Sequence, residues 1–205
     1  MKEPILYRIL RPLDKIFMKL YRVEYIGIEN IKKTGPIILA GNHTSYLDPL
    51  LLMSSTNRTI HFLSKIELCK GIKKYFFNNV GIIPVDRSKK NPEAIKKSNE
   101  YLNNNKVIGI FPEGTINRTD DIIMPFKTGA VRMAQETDSY IIPFSITGKY
   151  KLLRKSVKIC FDKPYKISGS IEAENQRLEK KVSNLIRRNS WKKNINLDIQ
   201  YLNMS

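Results

Sequence analysis

At 205 residues, 41% of them hydrophobic, the chain suits one domain with a sizeable core. Its 36 Lys and Arg against 19 Asp and Glu give a formal charge of +17, so the expected partner or surface is anionic, and nucleic acid and acidic membrane both qualify. No apolar run approaches the roughly 20 residues of a membrane-spanning helix and no signal peptide opens the chain; Cys69 and Cys160 stand in no metal-ligand spacing, which points to a reduced, cytosolic setting.

Residues 4–20 carry an amphipathic pattern. Ile5, Leu6, Ile9, Leu10, Leu13, Ile16, Phe17 and Leu20 recur at helical spacing, while Arg8, Arg11, Lys15 and Lys19 mark another face. Pro12 is expected to kink or divide this helix. Two readings fit the pattern: a helix lying in a membrane interface, drawn to anionic lipid, and a surface helix packed on the domain.

From residue 23 strands and helices alternate. Strands are expected at 23–28, 36–40, 59–64, 80–85, 107–111, 140–146 and 156–161, and helices near 49–56, 70–78, 92–103, 127–138 and 172–189. The fold class is therefore α/β: a mixed, largely parallel sheet of about seven strands covered by helices, with an N-terminal amphipathic helical segment. Residues 1–22 form that segment and 23–190 the α/β domain, while the polar, Asn-rich tail at 191–205 is expected to fray.

The apolar run 36–40 leads into Gly41-Asn42-His43-Thr44-Ser45-Tyr46-Leu47-Asp48, and Pro49 opens a helical pattern. His43 thus sits at a strand-to-helix junction, where open α/β sheets place ligands, and imidazole accepts a proton near neutral pH. Asp48 has two candidate roles: orienting His43 as the acid does in a triad, or capping the helix that follows. Farther on, the apolar strand Gly81-Ile82-Ile83-Pro84-Val85 closes on Asp86-Arg87, whose guanidinium suits phosphate but also suits an ordinary strand end. Ile110-Phe111-Pro112-Glu113-Gly114-Thr115 is another strand end, turned by Pro and Gly.

In order and spacing these segments resemble the motifs of the glycerolipid acyltransferases, the 1-acyl-sn-glycerol-3-phosphate acyltransferase family. Asn42-His43-x-x-x-x-Asp48 is similar to the first motif, the strand ending at Arg87 to the second, and Phe111-Pro112-Glu113-Gly114-Thr115 to the third and most specific. Phe126-Lys127-Thr128-Gly129 and the Pro143 strand match later segments, so the resemblance covers about residues 36–147. It departs at Ile116, where the family usually has arginine; Arg118 is the nearest substitute.

The resemblance implies acyl transfer from acyl-CoA or acyl-carrier protein to the free hydroxyl of a lysophosphatidic acid or similar lysolipid, making phosphatidic acid in phospholipid biosynthesis. His43 would act as general base and Asp48 as its orienting acid. Asn42, Arg87, Glu113, Gly114, Thr115, Arg118, Lys127 and Pro143 would bind or shape the substrate. No metal or cofactor is implied. The expected partners are lysophospholipid, the acyl thioester or its carrier protein, and an anionic membrane, with the enzyme peripheral on the cytoplasmic face. Two other classes stay open. Residues 149–193 hold 14 Lys and Arg against 4 acids, as a nucleic-acid module would, but without interleaved stacking aromatics. A catalytically silent membrane-binding protein would also fit, although intact His43 and Asp48 argue against it.

Overall fold

The structure, a computed structural model, describes residues 3–69, 79–86 and 92–190. The helix expected near 70–78, Arg87 and the tail from Trp191 lie outside the described residues. The chain opens with α1 (Ile5–Leu20) and β1 (Glu24–Ile26) and then alternates: β2 (Ile37–Gly41), α2 (Asp48–Ser54), β3 (Ile60–Lys65), β4 (Ile83–Val85), α3 (Pro92–Asn103), β5 (Val107–Ile110), α4 (Gly129–Thr137), β6 (Tyr140–Gly148), β7 (Val157–Phe161) and α5 (Ile171–Asn189). Seven strands form one sheet in the order β1-β7-β6-β2-β5-β3-β4. Among the described residues only the β6–β7 strand pair is antiparallel, so the sheet is mixed and largely parallel as the sequence pattern required.

The central strand shows why. Parallel strands covered on both faces read as unbroken apolar runs, and β2 is buried from end to end. Ile37 and Leu39 join a core with Tyr7, Met18, Leu51 and Leu52, whereas Ile38 and Ala40 join one with Leu102, Ala130, Leu178 and Val182. Helices α1 and α2 thus cover one face and α3, α4 and α5 the other. Because β2 runs parallel to both β5 and β6, the carboxyl ends of all three emerge at one edge, where the motif loops meet.

Pro143 lies inside β6 and not on an edge strand. Its neighbour two residues back, Ile141, exchanges both backbone hydrogen bonds with Tyr165, while the ladder to β7 begins only at Phe144. The Pro143 carbonyl still accepts the Asp162 N–H at 2.8 Å, so proline forfeits one bond beside the one-residue shift in register between Ile141–Tyr165 and Phe144–Phe161, a bulge of the kind that tolerates proline.

Helix α1 runs unbroken through Pro12, correcting the expectation of a kinked or divided helix. The ring lies on the exposed side, and Tyr7 and Met18, each only 1% exposed, pin the helix to the core on either side of it. The Tyr7 hydroxyl also accepts the Ile60 N–H at 3.0 Å. Burying two such side chains contributes about 1.5–3 kcal/mol each, so α1 is integral to the fold. Its other face carries Ile5, Ile9, Leu13, Ile16, Phe17 and Leu20, all 37–68% exposed. The helix packs with one face and leaves an apolar stripe on the other. No helix among the described residues is long and apolar enough to cross a membrane.

Asp14, on the packed face of α1, is buried with neither carboxylate oxygen hydrogen-bonded. Burial pushes its carboxyl up to about 7, and the neighbouring Lys15 offsets only part of this. Between about pH 3.8 and about pH 7 the unfolded chain has released a proton that the folded chain keeps. Stability should therefore fall as pH rises through this window, by at most about 1.4 kcal/mol per unit, with the full loss present above it. Asp14→Asn should flatten that slope. Urea midpoints at several pH values check this, and an equally steep fall in the variant would assign the effect to another group.

Candidate active site

The turn between β2 and α2 is built around the Asp48 carboxylate. Its Oδ2 accepts backbone N–H groups from Thr44 at 2.6 Å and Ser45 at 2.8 Å, and lies 2.9 Å from His43 Nδ1. Its Oδ1 accepts the Tyr150 hydroxyl at 2.7 Å and the Thr44 hydroxyl at 3.3 Å. Helix α2 begins at Asp48 itself, and its side chain caps no N–H of the helix. The capping alternative is thereby removed: the carboxylate faces back into the turn and towards His43.

Asp48 is fully buried, whereas the His43 side chain is 16% exposed. A carboxylate already receiving four other donors accepts from Nδ1, which leaves Nε2 of a neutral imidazole as the proton acceptor. The ring is stacked on Phe111, with centroids 4.1 Å apart and planes 17° apart, and Phe111 in turn meets Phe144 edge-on. Of the two hydroxyls that follow His43, that of Thr44 is on Asp48, and that of Ser45 accepts the Leu47 N–H at 3.2 Å and serves the turn.

The His43 backbone is held from the loop after β5. Its N–H donates to Glu113 Oε1 at 2.7 Å and its carbonyl accepts the Asn117 N–H at 2.8 Å. Glu113 Oε2 takes the Met124 N–H at 2.8 Å. This carboxylate is buried, and burial raises its pKa while the two N–H bonds partly oppose the rise. Glu113 is thus a brace between loops, with one N–H on each oxygen. Asn42 is likewise a brace. Buried beside His43, it donates to the Ile146 carbonyl at 2.9 Å and accepts the Ile146 N–H at 2.8 Å, tying the end of β2 to β6.

The remaining positions separate by location. Gly114 adopts φ 76°, and a Cβ there would come within 3.0 Å of Lys127 Nζ, so glycine lets the lysine cross the turn. The Lys127 N–H also donates to the Pro112 carbonyl. Thr115, Arg118 and Lys127 are exposed around this loop. Pro143 is buried within the sheet, in the strand that pairs with β2. The second histidine, His61, is a core residue: Nδ1 donates to the Gly81 carbonyl at 2.8 Å, the ring stacks on Tyr101, and burial lowers its pKa.

Sequence reasoning missed Tyr150 and Asn117. Tyr150 stands 102 positions from Asp48, with only its place just past the end of β6 to flag it. Burial and the adjacent Asp48 hold its phenol far above the ordinary range, which keeps it a donor. The assembled group can take a proton from a hydroxyl through Nε2, stabilise the resulting imidazolium, and return the proton to a leaving group.

A family model described as Acyltransferase matches residues 22–147. The chain is 31% identical over 156 residues to a 1-acyl-sn-glycerol-3-phosphate acyltransferase of Borreliella burgdorferi, covering 72% of this chain and 61% of that protein. It is 26% identical over 177 residues to the enzyme of the same name in Bacillus subtilis, covering 77% and 86%. The crystal structure of the 1-acyl-sn-glycerophosphate acyltransferase PlsC from Thermotoga maritima superposes with a TM-score of 0.71 at 20% identity, over 91% of this chain and 82% of that one, and so shares its fold. The matched region begins just before β1 and ends within β6, enclosing every turn that holds His43 and Asp48 except the Tyr150 contact, and on that match the chain belongs to the acyltransferase family.

Proposed function

We propose that the protein transfers a fatty acyl group from acyl-CoA or acyl-carrier protein to the free hydroxyl of 1-acylglycerol-3-phosphate, working at the cytoplasmic surface of the membrane. The observation that carries this reading is the His43–Asp48 contact at 2.9 Å with Nε2 left for substrate. Nε2 removes the hydroxyl proton as the oxygen attacks the thioester carbonyl. The C–S bond breaks from the tetrahedral intermediate, and the thiolate takes the proton from the imidazolium. Transfer is direct, through a ternary complex, since both hydroxyls that follow His43 are engaged, Thr44 on Asp48 and Ser45 in its turn. Asp48 holds the ring and balances its positive charge.

The relatives' names support the phosphate-bearing acceptor, and the basic side chains of Arg118 and Lys127 around the loop suit its headgroup. The exposed apolar stripe of α1, flanked by Arg8 and Lys19, supports contact with an anionic bilayer, where the amphiphilic substrate resides. Purified protein should acylate lysophosphatidic acid in preference to other lysolipids, and assays with both donors will tell the thioesters apart. Arg87→Ala and Arg118→Ala should each raise KM for lysophosphatidic acid roughly 10- to 100-fold with little change for the thioester, the loss expected of a charge-assisted contact. An unchanged KM in both would reject these arginines as phosphate ligands and favour a different headgroup.

A further inference from the structure

The segment joining β6 to β7, residues 149–156, is not an idle connection. Its ends are closed by the Lys149 N–H to the Ser156 carbonyl at 3.0 Å and the Ser156 hydroxyl to the Lys149 carbonyl at 2.7 Å. Between them Leu152 and Leu153 stand 57% and 63% exposed, among Lys149, Lys151, Arg154 and Lys155 and no acidic residue. Leu153 also adopts φ 59°, a left-handed conformation that suits glycine and strains a branched side chain. Neither the exposure nor the strain serves the core.

The loop is also joined to α1. The Leu153 N–H donates to the Leu20 carbonyl at 2.6 Å, at the end of the exposed apolar stripe. The Tyr150 ring meets Tyr21 edge-on at 5.7 Å, and Tyr21 meets Phe17 of that stripe at 5.4 Å. The two leucines therefore continue the apolar surface of α1, and the lysines and arginine beside them give it a basic rim. A surface of this kind fits an anionic bilayer: leucine side chains enter the acyl boundary while Lys and Arg remain at the headgroups.

We propose that residues 149–156 form a second bilayer contact, seated beside α1 and inserting Leu152 and Leu153 into anionic lipid. Tyr150 lies in the same loop with its hydroxyl on Asp48. The dyad is therefore held next to the headgroup level, where the hydroxyl of a lysolipid is presented. The inference rests on the reading of α1 as a membrane-facing helix, and its test treats the two elements separately.

In a full-length chain carrying Trp191→Phe, a single tryptophan is introduced by Leu152→Trp or, in a second protein, by Ile9→Trp. Both are offered vesicles of phosphatidylcholine and phosphatidylglycerol in equal parts, with brominated acyl chains as quencher, and vesicles of phosphatidylcholine alone. Emission from both positions should shift to the blue and be quenched on the anionic vesicles. In a companion variant, Leu152→Ser with Leu153→Gly, the partition coefficient should fall roughly tenfold with no loss of thermal stability, since both side chains are exposed and glycine relieves the left-handed backbone. Quenching at position 9 without quenching at position 152 overturns the loop proposal and leaves the α1 reading standing. No quenching at either position overturns both.

Discussion

Asp48→Asn is expected to lower kcat by roughly 10⁴-fold, by analogy with triad enzymes, with KM for either substrate little changed. Five donors converge on the native carboxylate, including His43 Nδ1. An amide that keeps its oxygen on the Thr44 and Ser45 N–H groups and on Nδ1 is neutral, so the charge that balances the imidazolium is lost, and its N–H groups displace the Tyr150 and Thr44 hydroxyl bonds that fix the side chain. His43→Ala should abolish transfer and leave the fold intact, because the ring is partly exposed and rests on one side against Phe111. Tyr150→Phe removes one donor and should cost about tenfold, the kinetic equivalent of one ordinary hydrogen bond. Steady-state kinetics on the purified variants, with melting temperatures alongside, check the series. Near-normal turnover in Asp48→Asn would reject the dyad, since asparagine serves as well as aspartate in a merely capping role.

Much of this arrangement is legible in the sequence because its parts are local. The runs at β2 and β5 are unbroken and apolar and β6 has one at 141–144, which is what a sheet covered on both faces demands. His43 and Asp48 are five residues apart, so one turn brings them together. The boundaries of the short edge strands are less legible: a strand at 23–28 becomes Glu24–Ile26, cut off by Gly27 at φ 72° and followed by a short 3₁₀ turn. The one at 80–85 becomes Ile83–Val85, since Gly81 turns with φ 75° above His61. What no local pattern discloses is the use of side chains across the fold. Tyr150 reaches Asp48 only because β6 returns alongside β2, and the same return lets both ends of the Asn42 amide bond Ile146. Pro12 misleads for the same reason: tertiary packing of Tyr7 and Met18 outweighs one lost backbone bond.

Glu113 separates a brace from a ligand most sharply. Its two oxygens take the N–H groups of His43 and Met124, so Glu113→Ala leaves both half-buried donors without an acceptor, at up to about 1–3 kcal/mol each. That loss is a large share of the stability of an ordinary domain, about 5–15 kcal/mol, and the alanine variant should melt far below the parent or fail to fold. Glu113→Gln is the more informative change. It keeps one acceptor oxygen and sets an amide N–H against the second donor, costing about 1–3 kcal/mol and loosening one of the two backbone bonds that fix His43. A shift of about 1 Å in a catalytic group lowers turnover by roughly 10²-fold, so kcat should fall by that order while KM for lysophosphatidic acid stays within about twofold. Separate determination of kcat and KM, with thermal melts of the same preparation, decides the matter. If KM for the phosphate-bearing acceptor rises with the melting temperature and kcat unchanged, the Glu113 carboxylate contacts substrate and not the His43 backbone.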